Sequence, residues 1–269
     1  MAEKDLHLSW LGQAGFLIES DTIRVVIDPY LSDSLSVKYA GKKFPHTRMQ
    51  PIPFEPSTLR NVSLVLCTHG HSDHMDPGTL PVIAEASPDC MFICPSSEKG
   101  KAAERGVPRG RIIGLDDGEK FDGDINVAAI ASAHETLASD DEGRSLYLGY
   151  VIEIDGYRIY HSGDCVPYEG LAERLRALNI DAALLPVNGR DSFRNENGIP
   201  GNFTVVEAAA LCREAGIGLL IPHHFGMFAF NTEVPDVIET VLSDSGLNYS
   251  IPLLGKTYTI KTIQENEYE

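Results

Sequence analysis

Thr68-His69-Gly70-His71-Ser72-Asp73-His74 places three imidazoles and one carboxylate within six residues. Val62-Ser63-Leu64-Val65-Leu66-Cys67, just before it, is short and apolar and reads as a buried strand. Asp76, Pro77 and Gly78 punctuate the chain after it, ahead of an apolar, helix-like run. The polar residues therefore fall on a loop between a strand and a helix, where layered α/β folds present functional groups. A tight loop turns His69 and His71 toward one point and lets Asp73 and His74 reach a second point beside it. Neutral imidazole and carboxylate are ligands of zinc, manganese and iron. One histidine here would pass as an ordinary loop residue; this density of ligand groups does not follow from packing.

The rest of the composition bounds the setting. The 269 residues are 43% hydrophobic and 23% charged, ordinary for a globular protein with a sizeable core. We expect one domain spanning 1–269, with halves near 1–117 and 118–269. No apolar run approaches the roughly 20 residues that span a bilayer. The start, Met1-Ala2-Glu3-Lys4-Asp5, shows neither the basic nor the apolar part of a signal peptide, so the expectation is a cytoplasmic protein without a membrane partner. Five cysteines, Cys67, Cys90, Cys94, Cys165 and Cys212, are scattered in or beside apolar runs and read as buried free thiols. The net charge of −17 repels phosphate backbones and argues against nucleic acid. A local basic cluster, Lys38, Lys42, Lys43, His46 and Arg48, can still greet a small anion. It lies in the stretch 30–60, whose prolines and lack of period predict a long loop covering the site. Monomer and homo-oligomer both stay open.

In chain order, strands are predicted over 6–11, 16–19, 23–27, 62–67, 91–94 and 112–115, with helices over 79–86 and 97–105. The second half predicts strands over 125–133, 157–160, 218–221 and 257–262, and helices over 168–178, 204–214 and 235–242. Thr204 and Glu207 have the spacing of a capping box, and Gly216 ends that helix. The halves echo each other. The run from Gly149 to Arg158 repeats that from Gly15 to Arg24 in its Gly, Ile, Glu, Asp and Arg. Ala182 to Arg190 echoes Ser63 to His71, and Leu220-Ile221-Pro222 echoes Ile93-Cys94-Pro95. Three weak matches in conserved order predict a pseudo-two-fold molecule with a site at the junction of its halves.

Further metal-capable side chains stand just past predicted strands: His134, His161-Ser162-Gly163-Asp164, and His223-His224. Periodicity does not bring them together. A resemblance does: Thr68 to His74 is similar to the signature of the metallo-β-lactamase superfamily. That resemblance implies an α/β, four-layered αβ/βα sandwich and a two-metal hydrolase site. It implies His69, His71 and His134 for one ion, Asp73, His74 and His224 for the other, and Asp164 bridging both. A Pro-x-His pattern before an aromatic favours His224 over His223. His161 would support or orient a ligand, and Asp28 would orient a ligand histidine.

Leu185 to Asp191, Gly201-Asn202 and Ile221 to His224 more narrowly resemble the L-ascorbate-6-phosphate lactonase group, over about residues 6 to 245. That likeness implies opening of a lactone of a small, phosphorylated sugar acid, and manganese, with zinc or iron as the other candidates for one or two divalent ions. Asn188 and Arg190 hold the repeat-equivalent places of His69 and His71, so they are expected to face the same cleft and orient the substrate. Arg190 would clamp an anion or pair with Asp191. The expected chemistry is attack by hydroxide formed from metal-held water, with Asp73 as proton acceptor and the metal steadying the oxyanion. A phosphodiesterase is the alternative. A redox di-iron protein on the same fold would carry a carboxylate in place of His71.

Overall fold

The computed structural model describes residues 5–260. The chain begins with an antiparallel meander, β1 (His7–Gly12), β2 (Gly15–Glu19) and β3 (Arg24–Ile27). A short helix, α1 (Ser34–Lys38), lies in the crossover to β4 (Leu64–Leu66). Next come α2 (Leu80–Ala86), β5 (Met91–Pro95), α3 (Lys99–Glu104) and β6 (Ile112–Leu115). From β3 to β6 the pairing is parallel, as helical crossovers require.

The second half starts with β7 (Lys120–Phe121), β8 (Asn126–Ala131), and a small ribbon of β9 (Ala133–His134) and β10 (Thr136–Leu137). It continues through β11 (Leu148–Ile154), β12 (Tyr157–His161), α4 (Leu171–Leu178), β13 (Ala182–Pro186) and α5 (Ser192–Glu196). It closes with α6 (Val205–Ala215), β14 (Leu219–His223), α7 (Pro235–Ser243) and β15 (Thr257–Thr259). One sheet runs β15-β1-β2-β3-β4-β5-β6 and the other β14-β13-β12-β11-β8-β7. The strand expected over 257–262 is seen at Thr257–Thr259; Thr262 lies outside the described residues, as do residues 1–4 at the expected leaderless start.

Alternation along the strands sorts the core into layers. Phe16, Ile18, Val25, Ile27, Leu64 and Leu66 pack toward the second sheet in the main core. Their neighbours Leu17, Val26 and Val65 face the other way, against Leu80, Ile83 and Ala102 of α2 and α3. Successive side chains on a strand leave opposite faces, so a strand covered on both sides is apolar throughout. The second sheet is backed in the same manner by Leu175 of α4 and Ala208 and Cys212 of α6. The molecule is thus the expected αβ/βα sandwich. The three sequence echoes fall on matching strands: β2 with β11, β4 with β13, β5 with β14. In each half these lie in the same order along the sheet, which is the pseudo-two-fold relation.

Thr204 caps α6 with Glu207 completing the capping box, and Gly216 ends it in a left-handed conformation, both as expected. All five cysteines are free and buried. Among the described residues no helix is long and apolar enough to cross a membrane.

Candidate metal centre

Parallel strands β3, β4 and β5 end at one sheet edge, and the loops leaving them build half of the site. Asp28, directly after β3, has φ of 44°, a left-handed backbone unusual for a non-glycine residue. Its carboxylate secures that conformation. Oδ1 accepts from the Thr68 amide at 2.7 Å, while Oδ2 accepts from Thr68 Oγ1 at 2.6 Å and from His74 Nδ1 at 2.7 Å. The 68–74 loop then coils back, with the Met75 amide donating to His71 O at 2.8 Å. Arg105 clamps the loop from outside: its guanidinium donates to Gly70 O at 2.8 Å, His71 O at 3.2 Å and Met75 O at 2.5 Å. A Cβ at Gly70 would stand 2.5 Å from Glu98 Oε2, so a larger residue there would displace the ends of Glu98 and Lys101. Asp76 ties the loop to the segment after β3 by accepting from Ser32 Oγ at 2.9 Å and Ser34 Oγ at 2.7 Å.

The second half contributes from three strand ends. His134 closes β9, Asp164 follows β12, and His224 follows β14 with φ of 60°. His161 donates through Nε2 to Ala14 O at 2.8 Å and accepts the Gly163 amide on Nδ1 at 3.0 Å. That fixes its neutral tautomer and shapes the turn that aims Asp164. Gly163, at φ 62°, lies where a Cβ would come within 2.7 Å of Thr68 Cβ. The two loops can therefore meet only with glycine at that point.

Two donor groups result. His69, His71, His134 and Asp164 form one; Asp73, His74 and His224 form the other. Within each, the ligand atoms all lie within 4.8 Å of one another. Asp164 faces both. Its Oδ2 is 3.5 Å from His134 Nε2, and its Oδ1 is 3.4 Å from His74 Nε2 and 3.2 Å from His224 Nε2. His69 Nε2, His74 Nε2, His134 Nε2 and Asp164 Oδ1 are buried and make no hydrogen bond.

The electrostatics fit a cation. Because His74 donates from Nδ1 to Asp28, its neutral form turns an Nε2 lone pair toward Asp164, and toward Asp73 Oδ2 at 3.7 Å. Acceptors then face acceptors, an arrangement held only by positive charge between them. A proton can supply it: burial opposes charge on His74, but Asp164, Asp28 and Asp73 outweigh burial and raise its pKa well above the usual value. Asp164 is held well below the carboxylate range, because His224 and His74 overcome its burial. In contrast, burial and neighbouring imidazoles hold His69 low and push His134 down to about 4. Those rings stay neutral, the form that binds metal. The residues present thus fit one or two divalent ions, held by imidazole and carboxylate without thiolate.

Other expected residues are placed differently. Asn188 is wholly buried; its Nδ2 donates to Asn231 Oδ1 at 2.8 Å and its Oδ1 accepts from Asn202 Nδ2 at 2.9 Å. Arg190 spends its fork on Glu207, at 2.7 and 2.5 Å, and on Asn202 O at 2.9 Å. The pair with Asp191, the alternative to an anion clamp, gives way to Glu207; Asp191 caps α5 and pairs with Arg194 at 2.6 Å. Asn188 and Arg190 therefore use most of their polar groups to brace their loop. His223 points away from the donor groups and stacks on His161, ring centroids 4.7 Å apart.

Within 30–60, Arg48 is consumed by the carbonyls of Tyr30 and Ser32 and by stacking on the Tyr30 ring. Lys43 bonds Asn197. Of that basic cluster, Lys38 reaches the metal loop, with Nζ 3.5 Å from Ser72 Oγ.

Three neighbours of the site carry no sequence signal. Arg105 looks like an ordinary helix-end arginine. Tyr147 packs its ring 4.8 Å from that of His134 and 5.2 Å from that of His69. Gln13, in a glycine-flanked turn, places Nε2 2.9 Å from both Asp73 Oδ2 and His224 Nε2.

Comparison with known proteins agrees with this geometry. The model of the family described as "Beta-lactamase superfamily domain" matches residues 23–225, more than half of the chain. A protein of Mesorhizobium japonicum named UPF0173 metal-dependent hydrolase is 26% identical over 268 residues, covering 95% of this chain and 100% of its own. Among solved structures, an isothiocyanate hydrolase from Delia radicum gut bacteria superposes with a TM-score of 0.73 at 17% identity, covering 94% of this chain and 98% of its own. The metallo hydrolase Igni18 of Ignicoccus hospitalis gives 0.69 at 19% identity, covering 95% and 98%. These two likenesses concern the fold.

Proposed function

Because the chain belongs to the Beta-lactamase superfamily domain family, we propose that it is a metal-dependent hydrolase that opens a lactone or related ester of a small anionic molecule. The observation that carries this reading is Asp164, whose two oxygens face separate groups of imidazole and carboxylate donors. His69, His71 and His134 would hold one ion with Asp164, and Asp73, His74 and His224 the other. When bound, such ions acidify water and polarise a carbonyl oxygen.

The protein's own groups divide the remaining work. Asp28 keeps His74 in the tautomer that presents Nε2. Asp73 is the more open of the two inner carboxylates, its side chain 18% exposed against 8% for Asp164. His74 and other nearby imidazoles outweigh its burial and keep it ionised, so it would accept the proton of the attacking water. Lys38, beside Ser72, would join Arg190 as a cation available to a substrate anion. Tyr147 packs its ring against those of His69 and His134 and would border a bound substrate there.

Manganese is the first ion to try, with zinc and iron next, since this donor set suits all three. The test is purified protein, loaded with each metal in turn, against sugar-acid lactones with and without phosphate, simple esters and a chromogenic phosphodiester. Lactone turnover that disappears with chelator supports the proposal. Cleavage of the phosphodiester alone would replace it with a phosphodiesterase. No hydrolysis of any substrate by fully loaded protein would sink it.

A further inference from the structure

Gln13 turns a buried side chain into the second donor group. It is 1% exposed and occupies the β1–β2 turn with φ of 51°. Its backbone is pinned there, because Gln13 O accepts from Trp10 Nε1 at 3.0 Å and from the His224 amide at 2.9 Å. The side chain thus starts from a fixed point beside His224. Its Nε2 lies 2.9 Å from Asp73 Oδ2 and 2.9 Å from His224 Nε2, while Oε1 is buried and makes no hydrogen bond.

We propose that Gln13 Oε1 is a ligand of the ion held by Asp73, His74 and His224. The inference rests on the metal-dependent reading above. The two ends of a carboxamide are nearly equal in size, and a half-turn of the terminal torsion exchanges them without displacing a neighbour. That half-turn carries Oε1 to where Nε2 stands, against the same two donors. Three lone-pair atoms then converge, which a divalent cation at their centre stabilises and nothing neutral does. The group gains a neutral oxygen donor beside one carboxylate and two imidazoles, a set suited to borderline divalent ions. Gln13 also links the centre to the first hairpin, since the residue that shapes the β1–β2 turn would bind the metal.

The rival role is that of a positioning residue whose N–H groups align Asp73 and His224. The two roles respond oppositely to a carboxylate. A Gln13→Glu change supplies an oxygen ligand with added charge, yet as a replacement for a donor it sets one more anion against Asp73. The experiment is calorimetric titration of chelator-treated wild type, Q13A and Q13E with Mn2+ and Co2+, read together with the visible spectrum of the Co2+ forms. Wild type should bind two ions. Q13A should keep the first and weaken the second about tenfold or more, with a changed Co2+ spectrum. Q13E should bind the second at least as tightly as wild type. Unchanged affinities and spectrum in Q13A, or a Q13E that binds the second ion more weakly than wild type, overturn Gln13 as a ligand and leave the hydrolase reading standing. Wild type that takes up a single ion overturns it as well, and wild type that takes up none overturns both. Should Q13A fail to fold, the Q13E comparison decides alone.

Discussion

Asp28 Oδ2 accepts a hydrogen bond from His74 Nδ1 at 2.7 Å, with both side chains wholly buried. The same oxygen accepts from Thr68 Oγ1. One carboxylate therefore sets both the tautomer of a ligand histidine and the start of the metal loop. In Asp28→Asn the charge is lost, and the histidine can be held in the wrong tautomer. Removing partners of this kind typically costs ten- to a hundredfold in metal affinity. Titration with Mn2+ or Zn2+ should show a loss of that order, with His71-side binding less affected. Wild-type affinity at both sites would show that Asp28 serves the fold alone.

Asp164 is the shared contact of the two donor groups, so its removal should act on both. Asp164→Ala is expected to abolish turnover and to lower bound metal below that of His71→Ala, which spares the second group. Metal removal from wild type should lower its melting temperature, since an ion that binds only the folded state stabilises it. Elemental analysis and a melting curve with and without chelator measure both effects. Full activity in purified Asp164→Ala would refute the site.

The legible part of this site was its sequence-local part. His69, His71, Asp73 and His74 share one loop, and strand-end positions marked Asp28, His134, Asp164 and His224. The repeat makes β13 the counterpart of β4, as the strand orders of the two sheets have it, but a repeat conveys backbone position and leaves side-chain partners open. Asn188 and Arg190 took the right loop, and then Asn202, Asn231 and Glu207 engaged their polar groups. The Glu207 contact depends on a capping box that presents its carboxylate toward the loop, which spacing alone does not reveal. Gln13 and Arg105 were illegible for a plainer reason: their contacts join residues 60 and 35 positions apart, and neither residue type implies a metal site.

Arg105 should matter to the loop more than to the helix it ends. Its guanidinium satisfies the carbonyls of Gly70, His71 and Met75, which lie in a turn without strand partners. In Arg105→Ala those acceptors lose a charged donor, a change worth about 2 kcal/mol. Arg105→Lys should recover only part, since an ammonium cannot span the same fork. Urea unfolding would give the stability loss, and metal titration should show weaker binding in the order wild type, Lys, Ala. Equal metal affinity in all three would separate the clamp from the metal site.

Glu207 gives a pH dependence remote from the metal ligands. Burial opposes its ionisation, but hydrogen bonds from Arg190 and from Thr204 outweigh that and depress its pKa below the ordinary 4.5. A carboxylate depressed on folding contributes stability that is fully present above its unfolded pKa and is lost as pH falls through the folded value. Glu207→Gln keeps a side chain able to complete the capping box but ends the ion pair with Arg190. Because that pair is about one-third exposed, screening reduces its worth to about 0.5 kcal/mol. The variant should therefore be less stable than wild type at pH 7 by about that amount. The gap should narrow as the pH drops below 4.5, where wild-type Glu207 takes up a proton. Chemical unfolding of both proteins along a pH series measures it. A gap that stays constant or widens on acidification would show that Arg190 is held by the loop and draws nothing from the charge of Glu207.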